Sequence, residues 1–226
     1  MLVQEYTLPL TEPRDIVYDG SALHVLFESR LVKLELVEGE GRFRAVEHQD
    51  FPWANSLAWD ASRSAYWAVG GAPWSVREEI DLIDQGDNRT ATFTVPQTFV
   101  GFPRFIVWDG ESLLVTSSEG PLYKLQPVGD SGELREIDSY APGIDRYGID
   151  EASGLTWDGD HLWLLVGDVV SKLNQAAQPI CEIGLPFGLP QPSWWGWRGL
   201  AWDGQFLWAA HQETSRVYRI DPNACR

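Results

Sequence analysis

Short apolar runs separated by polar turns recur along the whole chain, and one pair of runs occurs in five copies. The clearest copy extends from Gly199 to Trp208, with an Asp-Gly turn between its two apolar halves. The other copies begin at residues 15, 56, 105 and 154, and the aspartates of successive turns lie 41 to 49 residues apart. Copies at such a spacing are typical of repeat proteins, in which each unit is one supersecondary element.

Each repeat predicts a β-hairpin followed by further short strands. Asp-Gly between apolar runs, present in four of the five copies, is a strong hairpin signal. Four short strands per repeat of this length are typical of a β-propeller blade. We therefore predict an all-β fold, a five-bladed β-propeller that forms one domain over residues 1–226. The predicted blades cover about 14–50, 54–98, 104–140, 153–187 and 198–226.

The two ends of the chain predict how the ring closes. Only residues 204–226 follow the last repeated aspartate, which is too few for a complete blade. A spare strand at residues 3–9 precedes the first repeat. We expect this strand to serve as the outer strand of the last blade, where it would gain backbone partners.

The composition and net charge argue against some classes of binding partner. The formal net charge is −16, from 33 acidic and 17 basic residues, and such a charge repels nucleic acids and anionic membranes. No run approaches the roughly 18 apolar residues of a membrane span, and no secretory signal is recognisable, so a cytoplasmic location is the default expectation. Cys181 and Cys225 fall on different predicted blades, and we expect both to be free thiols.

The residue before each first strand marks one mouth of the central channel. These residues are Arg14, Asn55, Arg104, Ser153 and Arg198. Guanidinium groups bind carboxylates and phosphates bidentately, so three converging arginines predict an anion pocket. The alternative is that the arginines pair with acidic neighbours such as Glu12, Asp150 or Glu151.

Aromatic loops lead to the same mouth. The tryptophans that we expect there are Trp53, Trp74, Trp194, Trp195 and Trp197. Tryptophan is costly to leave in water, so these side chains either cover the core or contact a ligand. We leave both interpretations open.

Two further positions repeat in every unit. The aromatic position is held by Tyr18, Trp59, Trp108, Trp157 and Trp202, and we expect it to pack blade against blade. The aspartates are Asp19, Asp60, Asp109, Asp158 and Asp203. Five carboxylates around one channel end would suit calcium, but a carboxylate before glycine is also what the turn needs. We favour turn chemistry, with no cofactor and with calcium as the minor alternative.

Catalytic candidates are few. No nucleophile elbow, phosphate-binding loop or paired-histidine metal motif is present. His211, Glu151 and Glu28 are the candidate proton carriers, since their predicted loops lie near the mouth.

The repeat resembles a known class of propellers. The pattern Gly-Leu-x-Trp-Asp-Gly-x-x-Leu-Trp, with Arg-Val-Tyr-Arg-Ile-Asp-Pro after it, is similar to NHL-like and glutamine-cyclotransferase-like blades. The resemblance covers all five repeats and implies a five-bladed enzyme that cyclises N-terminal glutamine. In that family the residue before each first strand forms the pocket, and a glutamate in the second blade is the acid and base. Asn55 holds that place here, and an amide does not shuttle a proton.

These observations give three functional hypotheses. The first is a propeller that binds a small anionic molecule or a peptide at the mouth. The second is a glutamine-cyclotransferase-like enzyme, whether cyclase, transferase or lyase, that uses the same pocket. The third is a protein-interaction scaffold that uses the aromatic loop face. Fold alone does not choose among them.

Overall fold

The structure is a computed structural model that describes residues 3–51, 54–70, 78–86, 88–119, 121–129, 132–140, 152–185 and 196–225. Within these residues the chain forms twenty β-strands and one 3₁₀ turn at Pro222–Ala224, with no α-helix. The all-β prediction is therefore confirmed. No helix of the described residues is long and apolar enough to cross a membrane.

Three sheets of four strands follow one another in the middle of the chain, each in sequence order. The first consists of β6 (Ser56–Asp60), β7 (Ala65–Val69), β8 (Glu79–Asp84) and β9 (Arg89–Thr94). The second consists of β10 (Pro103–Trp108), β11 (Leu113–Ser117), β12 (Leu122–Pro127) and β13 (Leu134–Tyr140). The third consists of β14 (Ala152–Trp157), β15 (Leu162–Val166), β16 (Val169–Leu173) and β17 (Pro179–Gly184).

The two ends of the chain share an eight-stranded sheet in the order β18-β19-β20-β1-β5-β4-β3-β2. One half consists of β18 (Trp197–Trp202), β19 (Leu207–His211), β20 (Arg216–Ile220) and β1 (Val3–Thr7). The other half consists of β2 (Pro13–Tyr18), β3 (Leu23–Phe27), β4 (Arg30–Val37) and β5 (Arg42–Asp50). Strand β1 pairs antiparallel with β20 over its whole length, whereas it meets β5 only at Thr7 and Arg42.

The first strands of the sheets contact one another in the cyclic order β2, β6, β10, β14, β18 and back to β2. Hydrophobic clusters fill the spaces between neighbouring sheets. In one of them Trp67 of β7 stacks on Trp108 of β10 with ring centroids 5.7 Å apart. The repeated aromatic residue packs against such a cluster in each repeat, at Tyr18, Trp59, Trp108, Trp157 and Trp202. Burial between sheets thus explains why this position repeats.

The hairpin turns depend on their glycines. Gly204 has φ of +95°, a left-handed conformation that glycine adopts without a Cβ penalty. The second repeat has Ala61 instead of glycine, and there a longer turn ends at Ser64 with φ of +50°.

The prediction of free thiols is wrong. Cys181 on β17 and Cys225 form a disulfide, with their Cα atoms 5.4 Å apart. The chain turns back at Pro222–Ala224, and Cys225 packs against the cluster between the third sheet and β18–β20. Neighbouring sheets thereby bring together two cysteines that the sequence assigns to different blades.

Candidate functional site

Residues at the starts of several first strands line one cavity of about 330 Å³. Its walls are formed by Arg14, Asn55, Arg104 and Arg198, together with Phe105 and Gln212. Four of the five residues that the repeat alignment placed at the mouth therefore lie around one space. None of the described residues that line this cavity is acidic.

Four of the first strands, β2, β10, β14 and β18, have a β-bulge near their start. The ladder between β2 and β3 passes from Pro13 directly to Asp15, so Arg14 is the extra residue of a β-bulge. Arg104 and Ser153 occupy the same place on β10 and β14, and on β18 the skipped residue is Gly199, directly after Arg198. A bulge bends its strand and redirects a side chain. The alternation of side-chain direction is thereby interrupted near the start of these strands, beside the cavity.

Arg198 has a hydrogen-bond partner in the wall of the cavity. Its Nε donates a hydrogen bond to Gln212 Oε1 at 3.2 Å. Burial lowers the pKa of its guanidinium, and the positive charges of Arg104 and Arg14 lower it further. Arg198 therefore lies close enough to Arg104 and Arg14 to be repelled by both.

Two predicted site residues are buried instead of lining the cavity. Ser153 is 2 % exposed, and its hydroxyl donates to the carbonyl oxygen of Leu165 at 3.4 Å. Trp197 is 3 % exposed and packs edge-on against His211 and Tyr218. Because side chains alternate along a strand, Trp197 points away from the face of its neighbour Arg198.

Of the candidate proton carriers, neither His211 nor Glu28 lines the cavity. His211 is fully buried, and the backbone N–H of Thr214 donates to its Nδ1 at 3.3 Å. Burial lowers the pKa of its imidazole, which favours the neutral ring, and its Nε2 has no hydrogen-bond partner among the described residues. Glu28 is exposed in the turn between β3 and β4 and does not line the cavity.

Several predicted residues lie outside the described residues. They are Glu151, Trp53, Trp74, Trp194 and Trp195.

The repeated aspartates use both carboxylate oxygens within their own sheets. Oδ1 of Asp158 accepts the backbone N–H groups of Asp160 and His161 at 2.9 and 2.7 Å, and Oδ2 accepts the indole N–H of Trp163 at 2.7 Å. The same arrangement recurs, and the groups that bind Oδ2 of the other four are His24, Trp67, Lys124 and Trp208. Turn chemistry therefore accounts for these carboxylates. The partner of Oδ2 is a feature that sequence reasoning missed; it lies on the following strand in four repeats and on the third strand, at Lys124, for Asp109.

Asp15 is a second feature that sequence reasoning missed. This residue is 3 % exposed, and its two oxygens accept the backbone N–H groups of Ile16 and Leu57 at 2.8 and 2.7 Å. It therefore bridges the first strands β2 and β6. Desolvation raises its pKa to about 7, although the hydrogen bonds from Leu57, Ser56 and Ile16 act in the opposite direction. A carboxylate directly before the apolar pair Ile16-Val17 of β2 was the available signal.

Comparison with known proteins supports the fold. No family model matches the chain, and no curated protein matches it. Among solved structures, glutaminyl cyclase from Myxococcus xanthus superposes with a TM-score of 0.72 at 11% sequence identity, covering 97% of this chain and 94% of that one. A chain of the nidogen/laminin complex superposes with a TM-score of 0.52 at 18% identity, covering 92% and 75%. At these identities the likeness concerns the fold alone, which is that of a β-propeller.

Proposed function

We propose that this chain is a five-bladed β-propeller that binds a small anion at one mouth of its channel. The observation that supports the site is the cavity in which Arg14, Arg104 and Arg198 meet without an acidic lining residue among the described residues. Guanidinium groups bind carboxylates and phosphates through paired hydrogen bonds, and no other common side chain matches those ligands as well.

The connections between the sheets support the proposed architecture. The cyclic contacts of the first strands are those expected of five blades. In this arrangement β1 is the outer strand of the last blade, because it pairs with β20 residue by residue. The brief pairing of Thr7 with Arg42 then joins the last blade to the first.

Internal ion pairing is the competing explanation of the arginines. Of the three acidic residues suggested by the sequence, Glu12 is exposed and does not line the cavity, and Asp150 and Glu151 lie outside the described residues. The pKa of Arg198 is lowered by its surroundings, which is the opposite of what a neighbouring carboxylate would do. A partly buried guanidinium with a lowered pKa, such as that of Arg198, is stabilised when an anion enters.

A thermal-shift screen tests the proposal. Carboxylates, phosphates, sugars and Gln-terminated peptides are each added to the wild-type protein, to Arg104→Ala and to Arg44→Ala. Arg44 is an exposed arginine paired with Glu35 on the β4–β5 hairpin, so its variant removes the same charge elsewhere. We expect carboxylates or phosphates to stabilise the wild type and Arg44→Ala but not Arg104→Ala. Equal stabilisation of all three proteins would contradict the site.

A second candidate function is a glutamine-cyclotransferase-like enzyme. The likeness to a glutaminyl cyclase over 97% of the chain favours it. Against it, the described lining residues hold no carboxylate, and Asn55 replaces the expected glutamate. Conversion of a Gln-terminated peptide to its pyroglutamyl product by the wild type, lost in Arg104→Ala, would support the enzyme. Binding without conversion would support the first proposal.

A further inference from the structure

A further cavity, of about 130 Å³, lies at the other end of strand β2 from the arginines. Arg14 is at the start of β2, whereas Asp19, which lines this cavity, directly follows the end of that strand. The cavity lies at the boundary between strands β2–β5 and the sheet β6–β9, since Lys33 of β4 and Tyr66 of β7 both line it. It shares no described lining residue with the arginine cavity.

The space exists because His24 occupies a position that holds a larger side chain in most repeats. The same place in the ladder of first and second strands is held in three other repeats by Trp67, Trp163 and Trp208. Each of these indoles packs between neighbouring sheets and donates its N–H to the repeated aspartate. Nε2 of His24 makes the corresponding contact with Asp19 Oδ2 at 2.8 Å, but imidazole lacks the second ring of an indole. The smaller side chain leaves room beside Tyr66, whose ring centroid is 6.2 Å from that of His24.

Gln49 supplies an unused hydrogen-bond donor in the wall of this cavity. Its side-chain Nε2 is buried and has no hydrogen-bond partner among the described residues. A buried donor without an acceptor disfavours the folded state, because the group has lost its hydrogen bonds to water. An occupant that presents an acceptor oxygen to Gln49 would therefore be stabilised there.

The charged residues in the wall argue against an ionic occupant. Burial and, after it, the carboxylates of Asp19 and Glu47 raise the pKa of Tyr66, so negative charge already acts on the space beside this ring and disfavours an anion. A cation would face Lys33 and would leave the N–H groups of Gln49 without an acceptor. A hydroxyl group satisfies both conditions, because one oxygen accepts from an N–H and donates to a carboxylate.

We propose that this cavity is a second ligand site and that it binds a compact neutral molecule with several hydroxyl groups. One hydroxyl accepts from Gln49, and others accept from Lys33 and donate to Glu47. Several hydroxyls suit this wall better than a single amide, because the polar groups belong to two different strands, β4 and β5. The volume is below the roughly 300 to 1,000 Å³ of pockets for drug-sized ligands, so the molecule has few heavy atoms. This site is independent of the proposed anion site.

Ligand-observed NMR titrations test the class of ligand. The probes are glycerol, propanamide, propanoate and propylammonium, which all have three carbons and differ in charge and hydrogen bonding. We expect the wild-type protein to bind glycerol about tenfold more tightly than any of the other three. Glycerol bound no more tightly than another probe would overturn the hydroxyl ligand, and no binding of any probe would overturn the site.

His24→Trp tests the location. The variant has the residue that three other repeats have at this position, so the indole should donate to Asp19 and fill the cavity. We expect it to melt at or above the wild-type temperature and to bind glycerol at least about tenfold more weakly. Unchanged glycerol binding in the folded variant would overturn the location.

Gln49→Leu tests the buried donor and provides a second test if His24→Trp does not fold. Gln175→Leu is its matched control, because Gln175 is exposed in the turn between β16 and β17. Removal of an unpartnered buried amide should leave the melting temperature unchanged or higher and yet weaken glycerol binding about tenfold. The control should bind glycerol as the wild type does. Equal glycerol affinity of the two variants would contradict the role of Gln49.

Discussion

At the scale of single residues, Asp15 makes the stability of the strands beside Arg14 depend on pH. It follows Arg14 on β2 and accepts a backbone N–H from β6, so it joins two first strands through a buried carboxyl. Its pKa is raised to about 7 because burial disfavours the charged form. The folded state therefore binds this proton more tightly than the unfolded chain does.

We predict that Asp15 makes the protein less stable as the pH rises. A raised folded-state pKa contributes stability that is complete below the unfolded value of 3.8 and is lost as pH rises through about 7. The loss is on the order of 4 kcal/mol, at 1.36 kcal/mol per unit. Urea unfolding of the wild type and Asp15→Asn at pH 4 and pH 8 measures it.

Between pH 4 and pH 8, the free energy of unfolding of Asp15→Asn should rise relative to that of the wild type. The exposed Asp160→Asn serves as the control and should show no such rise. The comparison uses the change with pH, because Asp15→Asn also alters a backbone hydrogen bond at every pH. A difference between variant and wild type that is constant with pH would show that Asp15 does not titrate in this range.

At the scale of elements, the hairpin turns depend on the repeated aspartate. Asp158 accepts two turn N–H groups and one indole N–H. Burial acts to raise its pKa, but these hydrogen bonds outweigh burial and lower it. We predict that Asp158→Ala costs about 3 kcal/mol, since hydrogen bonds to charged groups contribute roughly 1.5 to 3 kcal/mol each and are not additive.

Asp160→Ala is the matched control for this turn, because Asp160 is exposed two residues along the same turn. We expect a change within roughly 0.5 kcal/mol for this surface substitution. Chemical denaturation of both variants makes the comparison. Equal effects of the two substitutions would mean that the indole and turn bonds contribute nothing specific.

The N-terminal strand is the element that joins the two halves of the eight-stranded sheet. Tyr6 of β1 is 3 % exposed and lies 5.5 Å from the ring of Phe43 and 5.6 Å from that of Trp208, which belong to opposite halves. We predict that Tyr6→Ala costs about 3 to 5 kcal/mol, as for other buried aromatic residues. Deletion of residues 1–9 should lower the melting temperature further.

Gln4→Ala is the control for the strand, since Gln4 is exposed on β1 and bonds only at the surface with Arg219. Thermal unfolding measures all three proteins. If the deletion melted like the full chain, β1 would not close the ring.

At the scale of the whole molecule, the disulfide ties the end of the chain to the neighbouring sheet. Cys181 and Cys225 are 44 residues apart in sequence. In the chain-entropy model a loop of this length gives about 4 kcal/mol of stabilisation. We predict that Cys225→Ser and Cys181→Ser each lose about this amount, measured by urea unfolding without reductant.

The double variant should be no less stable than either single variant, since one bond is lost in all three. Disulfides persist in oxidising surroundings, so the protein must be purified without reductant. Thiol labelling of the denatured wild type should then find no free cysteine, and two reactive thiols would contradict the bridge.

The repeat predicted much of the fold, because its signals are local. Asp-Gly turns such as Asp203-Gly204 specify a hairpin within a few residues, and the aromatic position marks a surface that neighbouring repeats bury. The gathering of Arg14, Arg104 and Arg198 also followed from their shared place in the repeat.

The remaining features depend on contacts between distant residues. Trp197 and Arg198 are neighbours in sequence, but strand alternation sends one into the core and the other to the cavity. His211 is buried at the end of β19 and does not lie in a loop, and this burial depends on packing that no single repeat contains. The pairing of Cys181 with Cys225 depends on the path of the chain after β20.

The central claim is that Arg14, Arg104 and Arg198 line a site that binds an anion. Arg198→Gln keeps a polar side chain and removes one positive charge from the cavity, and its melting temperature at low salt, with and without propane-1,2,3-tricarboxylate, tests the claim. We predict that the free variant melts at or above the wild-type temperature, because repulsion with Arg14 and Arg104 is relieved. It should also lose most of the stabilisation that the tricarboxylate gives the wild type. A variant that melts well below the wild type, with no effect of the tricarboxylate on either protein, would show that Arg198 serves an internal ion pair.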